Sequence, residues 1–370
     1  MPCAGADPGI AMPALLRSGG LEMHYQPILD LHTGAVTKVE ALARLRDGDT
    51  LLAPDRFLPH FRDDDLLELY AQGLDQALAQ RRQWLERGIA LALSVNLPPS
   101  ALSDGRYFDI TCQALSRHAC APQMLTLEIL ENAEVALDPA TSLLLRQFKE
   151  LGVCLAEDDL GAGHSSLRRL RELPFDWIKI DRHIVRLLDT DNWEVLHFIY
   201  QLTRLGHSLC KAVVVEGVET ADLVEAVRIL GVDAAQGYGI ARPMAGAQLA
   251  EWIGSDVACP RGQPATALGR LARLLIVEER LHLTQADHDR RDLACESVCD
   301  VAPALAGSAR SAAASCLSCQ LHRFRVDLDR IFPGDASCRV EKDALLHAAS
   351  RHGLASHHYR QARRRLATRA

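Results

Sequence analysis

No stretch of this sequence stays apolar for the roughly 18 residues that a membrane-spanning helix needs. The first residues contain Pro and Gly and lack the basic and apolar regions of a secretory leader. The expectation is therefore a soluble, cytoplasmic chain. In that compartment eleven cysteines, an odd number, point to free thiols or metal ligands and away from a disulfide framework. A Gly-rich dinucleotide turn is missing after the first strand candidate, which argues against an open doubly wound sheet. Positive charge is scarce where most of the chain lies. Residues 1–260 carry 23 basic against 36 acidic side chains, whereas residues 261–370 carry 18 against 12. An acidic domain is a poor unaided binder of polyanions, so binding to a nucleic-acid polymer is not expected, and metals would have to supply the charge for a phosphate substrate.

The chain does have length and apolar content. Its 370 residues, 48% hydrophobic, allow one large domain and a smaller one. After a loosely held lead (residues 1–14 as a domain boundary), strand candidates fall at Met23–Leu29, Val36–Leu45, Leu91–Leu97, Leu125–Glu131, Val153–Asp159, Phe175–Asp181, Lys211–Val218 and Ala234–Ile240. From the third onward they mostly alternate with helical patterns. One is Asp63 to Gly88, where Leu66, Leu67, Tyr70, Leu74, Leu78 and Trp84 recur near a 3.6 period. Another follows Asp138-Pro139, an N-cap with Pro at the first helical position. Eight strands alternating with helices predict an α/β fold, a TIM-type barrel. The first two strands are joined by only a short turn, too short for a crossover, so the first is expected to run antiparallel.

Polar residues interrupt the apolar strands in a repeating way. Glu40, Asn96, Glu128, Asp158 with Asp159, Lys179, Glu216 and Gln236 lie in or at the ends of seven successive strands. Any one alone reads as a capped or solvated polar group, and the Glu157-Asp158-Asp159 triple alone reads as an acidic loop in water. In a barrel, however, strand ends converge on one face, where catalytic residues gather. Packed carboxylates repel one another, and a divalent cation relieves the repulsion. The set is hard oxygen donors without His or Cys, which suits Mg²⁺ or Mn²⁺ better than zinc. Two ions about 4 Å apart, sharing a bridging Asp, support in-line phosphoryl displacement. Lys179 could orient the attacking water, assist its deprotonation or stabilise the pentacovalent phosphorus. The residues alone thus indicate metal-assisted phosphodiester hydrolysis.

Seven fragments, in order, resemble the signature set of EAL domains, the cyclic di-GMP phosphodiesterases of bacterial signalling. They are Glu40-Ala41-Leu42 with Arg44, Ser94-Val95-Asn96-Leu97, Glu128-Ile129-Leu130-Glu131, Asp158 to Gly163, Ile178-Lys179-Ile180-Asp181, Val215 to Thr220, and Gln236-Gly237-Tyr238. The resemblance covers residues 15–255. It implies a modified TIM barrel with an antiparallel first strand, two Mg²⁺ or Mn²⁺ ions, hydrolysis of cyclic di-GMP to linear pGpG, and a homodimer. By motif position, Glu40, Asn96, Glu128 and Asp158 would hold one metal, and Asp158, Asp159 and Glu216 the other. Lys179 would activate water, with Glu216 and Glu219 completing the catalytic network. Gln26, Leu42, Arg44, Asp181 and Gln236 would contact the dinucleotide, and Glu131 would brace the loop after Asp159. Leu160 and His164 stand where the family usually has Phe and often Tyr, which leaves a second reading: a weak or inactive domain serving as a cyclic di-GMP receptor or protein scaffold. No cyclase-type GGDEF motif is present, so synthesis of the nucleotide is not expected.

Residues 265–370 are expected to form a small all-α accessory, sensor or dimerisation domain, with helices over Ala267–Arg280 and Asp343–Ala367. This region holds five of the cysteines and seven histidines. Cys319-Gln320-Leu321-His322-Arg323-Phe324 faintly resembles the cysteine motif of chemoreceptor zinc-binding bundles, and the resemblance implies a Zn²⁺ site from His288, Cys319, His347 and His352. The motif's Gly and Trp are missing, and a plain helical partner module is the other reading.

Overall fold

The structure is a computed structural model, and it describes residues 8–130, 139–160, 167–189, 192–253, 266–288, 317–333, 336–352 and 357–369. Ten strands make one sheet: β1 (Leu21–Asp30), β2 (Val36–Asp47), β3 (Thr50–Leu52), β4 (Ala92–Leu97), β5 (Leu125–Leu130), β6 (Cys154–Leu160), β7 (Trp177–Ile180), β8 (Ala212–Val215), β9 (Ala234–Ala235) and β10 (Met244–Ala245). Eight of them close on themselves in the order β1-β2-β4-β5-β6-β7-β8-β9, with β9 returning to β1. From β2 onward the barrel pairings are parallel. β1 is antiparallel to both of its barrel neighbours, β2 and β9. The fold is the modified TIM barrel expected from the short first connection.

Alternation along the strands builds two layers, because neighbouring side chains leave a strand on opposite faces. Leu93, Val95 and Leu97 of β4, Leu125, Leu127 and Ile129 of β5, and Leu155 of β6 are buried with the surrounding helices. The helix Asp63–Glu86 contributes Tyr70, Leu74, Ala77, Leu78 and Trp84 to that layer. Trp84 also donates Nε1–H to the Gly246 carbonyl at 2.9 Å and meets the Tyr25 ring edge-on, 4.7 Å between centroids. Each fully buried Leu is worth about 1.5–3 kcal/mol, so this layer carries the barrel. The opposite phase carries Ser94, Thr126, Glu128 and Lys179, all buried.

Three local features differ from expectation. The lead is helical over Pro8–Arg17, and Leu16 is wholly buried with Leu21, Leu45 and Phe57. The last barrel strand is only two residues long, Ala234–Ala235, where Ala234–Ile240 was expected. In the C-terminal region the single helix expected over Asp343–Ala367 is two helices, Ala336–His352 and His357–Arg369. Asp138 and the segment 300–315 lie outside the described residues.

The chain divides into two compact units: Met1–Val224 with Gly231–Cys259, and Glu225–Leu230 with Pro260–Ala370. The second unit is helical, with Ala267–His288, Leu317–Ile331 and the two helices just named. Leu271, Leu274, Phe324, Leu328, Leu345, Tyr359 and Leu366 are buried. Its first and last helices are tied by a buried polar group: Tyr359 donates its hydroxyl to Glu278 Oε1 at 2.6 Å, and Arg363 Nη1 lies 3.3 Å from Glu278 Oε2. Among the described residues, no helix is long and apolar enough to cross a membrane.

Candidate active site

Strand register, antiparallel between β1 and β2 and parallel beyond, brings the polar strand residues to one level. Gln26 pairs with Glu40, Glu40 with Ser94, Asn96 with Glu128, and Leu130 with Asp158. At the centre stands Lys179, only 2% exposed. Its Nζ lies 2.6 Å from Glu216 Oε1, 2.8 Å from Glu128 Oε2, 3.0 Å from Asp158 Oδ1 and 3.6 Å from Glu40 Oε2. Burial opposes the lysine's charge, but these four acids outweigh it and hold the ammonium well above its ordinary pKa.

The acids are themselves held. Glu40 accepts from Asn96 Nδ2 at 2.9 Å and from Gln236 Nε2 at 2.7 Å. Burial pushes Glu40 upward, yet Lys179 and these amides bring it below the usual carboxylate range. Gln236 Nε2 also donates to Gln26 Oε1 at 3.1 Å, and Gln26 donates to the Ala241 carbonyl at 3.2 Å. Glu128 receives the Ser94 hydroxyl at 2.5 Å. Burial and the nearby Glu40 carry Glu128 well above the carboxylate range. Ser94 is a positioning residue that sequence reasoning left unassigned. The available signal was its spacing, two residues before Asn96 and thus in the same strand phase.

Adjacent residues on a regular strand point to opposite faces, so Asp158 and Asp159 should not share a site. A register irregularity between Glu157 and Leu160 and a left-handed backbone at Asp159 (φ +62°) break that rule. As a result Asp158, Asp159 and Glu216 each present an oxygen within 4.8 Å of the others, the one such cluster among the described residues. Burial, then Asp158 and Asp181, push Asp159 up to about 7. Burial, then Asp158 and Glu40, push Glu216 up to about 8 against the pull of Lys179. Five carboxylates thus face one lysine, and the donors are hard oxygens. This arrangement fits divalent cations of the Mg²⁺ or Mn²⁺ type.

A cavity of about 330 Å³ opens over this cluster, and Gln26, Leu42, Asp181, Glu219 and Gln236 line it with the central acids and Lys179. Two glycines shape its wall. At Gly217 (φ +67°) a Cβ would fall 2.5 Å from the Arg182 Cβ, and at Gly237 one would fall 2.2 Å from the Val218 carbonyl oxygen. Asp181 caps the helix Arg182–Arg186, accepting from the His183 amide at 2.7 Å. Arg44 is not among the lining residues, and its guanidinium donates to the Ala43 carbonyl at 2.8 Å. Arg182, His183, Arg186 and Tyr238, which sequence reasoning did not single out, do line the cavity. Glu131 and Gly161–Ser166, including His164, lie outside the described residues. Leu160 is buried with Leu170 and Ile178. Of the implied zinc ligands, His347 is exposed, and the side chains of His288, Cys319 and His352 lie outside the described set.

A family model for the EAL domain matches residues 11–243. The chain belongs to the EAL-domain family. It is 34% identical over 232 residues to the bifunctional diguanylate cyclase/cyclic di-GMP phosphodiesterase MucR of Pseudomonas aeruginosa, an alignment covering 62% of this chain and 34% of MucR. It is 35% identical over 232 residues to the cyclic di-GMP phosphodiesterase RocR of the same organism, covering 62% of this chain and 59% of RocR. The chain therefore spans about a third to three fifths of these EAL relatives. Among solved structures, the PaMucR phosphodiesterase in complex with c-di-GMP superposes with a TM-score of 0.61 at 32% identity, covering 65% of this chain and 98% of that one. An EAL domain protein from Listeria monocytogenes gives 0.57 at 28% identity, covering 67% and 98%. The EAL match ends before Pro260–Ala370, the larger segment of the second unit.

Proposed function

We propose that this chain hydrolyses cyclic di-GMP to linear pGpG in a metal-dependent reaction. The observation that carries the reading is Lys179, buried among Glu40, Glu128, Asp158 and Glu216 beneath an open cavity. Asp158, Asp159 and Glu216 would hold one divalent cation, and Glu40, Asn96, Glu128 and Asp158 the other. Such cations supply charge stabilisation for the attacking and leaving oxygens of an in-line displacement.

The protein's own groups do the rest. Lys179 Nζ, kept protonated by its acids, orients the attacking water and meets the charge that develops on the phosphoryl oxygens. Gln236 fixes Glu40, and Gln26 fixes Gln236, so the metal-facing carboxylate is set before substrate arrives. Glu219, at the cavity edge, completes the water network with Glu216. Gln26, Leu42, Arg44, Asp181 and Gln236 contact the dinucleotide, Arg44 by leaving its backbone partner. Glu131 braces the loop after Asp159. The chain acts as a homodimer, and residues 265–370 act as an accessory module, with zinc in it as a further reading to be checked by metal analysis.

The test is chromatography of purified protein incubated with cyclic di-GMP and Mg²⁺ or Mn²⁺, beside a Lys179→Ala control. Linear pGpG formed by the unsubstituted protein alone supports the reading. Binding without product makes the chain a receptor.

A further inference from the structure

We propose that Arg182 and Arg186 grip the second phosphodiester of a cyclic dinucleotide, the one that is not cleaved. The inference rests on the reading of this cavity as a cyclic dinucleotide site and names residues outside the metal cluster.

The cavity wall is acidic. Glu40, Asp158, Asp159, Asp181, Glu216 and Glu219 all line it, and the charge of Lys179 is already shared among four of them. Arg182 and Arg186 line the same cavity and are exposed. Neither makes a hydrogen bond or an ion pair with any described residue. Long, flexible guanidinium side chains beside so many carboxylates are ordinarily drawn into pairs. His183 between them behaves that way, with Nδ1 2.5 Å from Asp181 Oδ1. The two arginines do not.

Their placement matches a single task. Four residues apart on one helix, they lie on the same face, one turn from each other. The Arg182 Cβ sits close against Gly217, where an added Cβ would fall 2.5 Å from it. The helix itself is anchored at its start by Asp181. A cyclic dinucleotide carries two phosphodiesters on opposite sides of its ring. A metal cluster at one level of the barrel can neutralise the phosphate being attacked, but the other needs a counter-charge elsewhere on the wall. The guanidinium fork fits phosphate oxygens in a bidentate way that lysine cannot reproduce. Among the described lining residues, Arg182 and Arg186 are the arginines available for it.

Arg186→Gln and Arg182→Met are the variants, assayed with Mn²⁺ on two substrates: cyclic di-GMP, and bis(4-nitrophenyl) phosphate, which has a single phosphodiester. The expected result is a KM for cyclic di-GMP raised roughly 10- to 100-fold, with kcat changed by less than about threefold. The preference for cyclic di-GMP over the small diester falls by a similar factor. Equal losses on both substrates, or a lower kcat at unchanged KM, overturn the proposal. Calorimetric titration with cyclic di-GMP in Ca²⁺ reads binding whether or not cleavage occurs. If the unsubstituted protein binds but cleaves neither substrate, the phosphodiesterase reading fails. Weaker binding by Arg186→Gln then still supports the arginine grip, and equal binding overturns it. Failure of the unsubstituted protein to bind overturns both.

Discussion

Arg169 and Glu157 form an ion pair inside the barrel wall. Nε lies 2.9 Å from Oε1, and the carboxylate is completely buried. Glu157 immediately precedes Asp158, and Arg169 also donates Nη2–H to the Leu130 carbonyl at the end of β5, 3.1 Å away. The pair therefore joins the strand carrying the two aspartates, the helix Leu167–Glu172 and the tip of β5. Removing one partner strands a buried charge, at a cost of about 3–5 kcal/mol. Glu157→Leu and Arg169→Leu are each expected to lower the chemical-denaturation midpoint of the EAL unit strongly. The double variant should recover most of the loss, and an additive double variant would refute the coupling.

Lys179→Ala removes the central cation. With metal chelated, four carboxylates then face one another without it, so the variant should melt well below the unsubstituted protein. Excess Mn²⁺ should close much of the gap. Turnover of cyclic di-GMP should fall by at least about a hundredfold even with saturating Mn²⁺. Differential scanning fluorimetry and product chromatography on the same samples separate the two effects.

The Asp158–Asp159–Glu216 cluster predicts stabilisation by hard divalent ions. At a concentration a hundred times the dissociation constant, a bound ion adds about 2.7 kcal/mol. Mn²⁺ should raise the melting temperature of the unsubstituted protein, and Glu216→Gln should shrink that shift. An undiminished shift in Glu216→Gln would mean that the ion binds elsewhere.

Glu278 in the helical unit gives a pH prediction. Burial lifts it to about 7, against the opposing influence of Arg363 and Tyr359. Its folded pKa is above the ordinary value of 4.5, so the folded state binds the extra proton. The associated stability is complete below about 4.5 and is lost as pH rises through about 7. The unit should melt at lower temperature at pH 8 than at pH 5, and Glu278→Gln should flatten that slope. Circular dichroism melts of the whole chain across this range provide the measurement.

The barrel was legible because its signals are local. The strands are short apolar runs, and the polar residues that mark the site interrupt them at their ends. The antiparallel β1 followed from the short turn at His32-Thr33-Gly34. The shared aim of Asp158 and Asp159 was not legible, since it depends on a register irregularity and a left-handed residue that two adjacent acids do not announce. The partner of Glu157 lies twelve residues on, and composition cannot connect them. Arg182 and Arg186 carry no sequence signal that singles them out, and only the cavity distinguishes them from other exposed arginines. In the C-terminal region, helical periodicity was visible, but the Glu278–Tyr359–Arg363 group joins residues more than eighty positions apart and has no local signature.

The reversed first strand also decides where other modules can be attached to the barrel. In an all-parallel barrel, the chain enters at the floor, far from substrate. Here Leu21 pairs with Leu45 near the far end of β2, so the polypeptide arrives at the rim of the mouth and descends. A module joined ahead of this barrel would therefore be tethered beside the opening, where a small reorientation could shade or uncover the cavity without moving a residue of the acidic cluster.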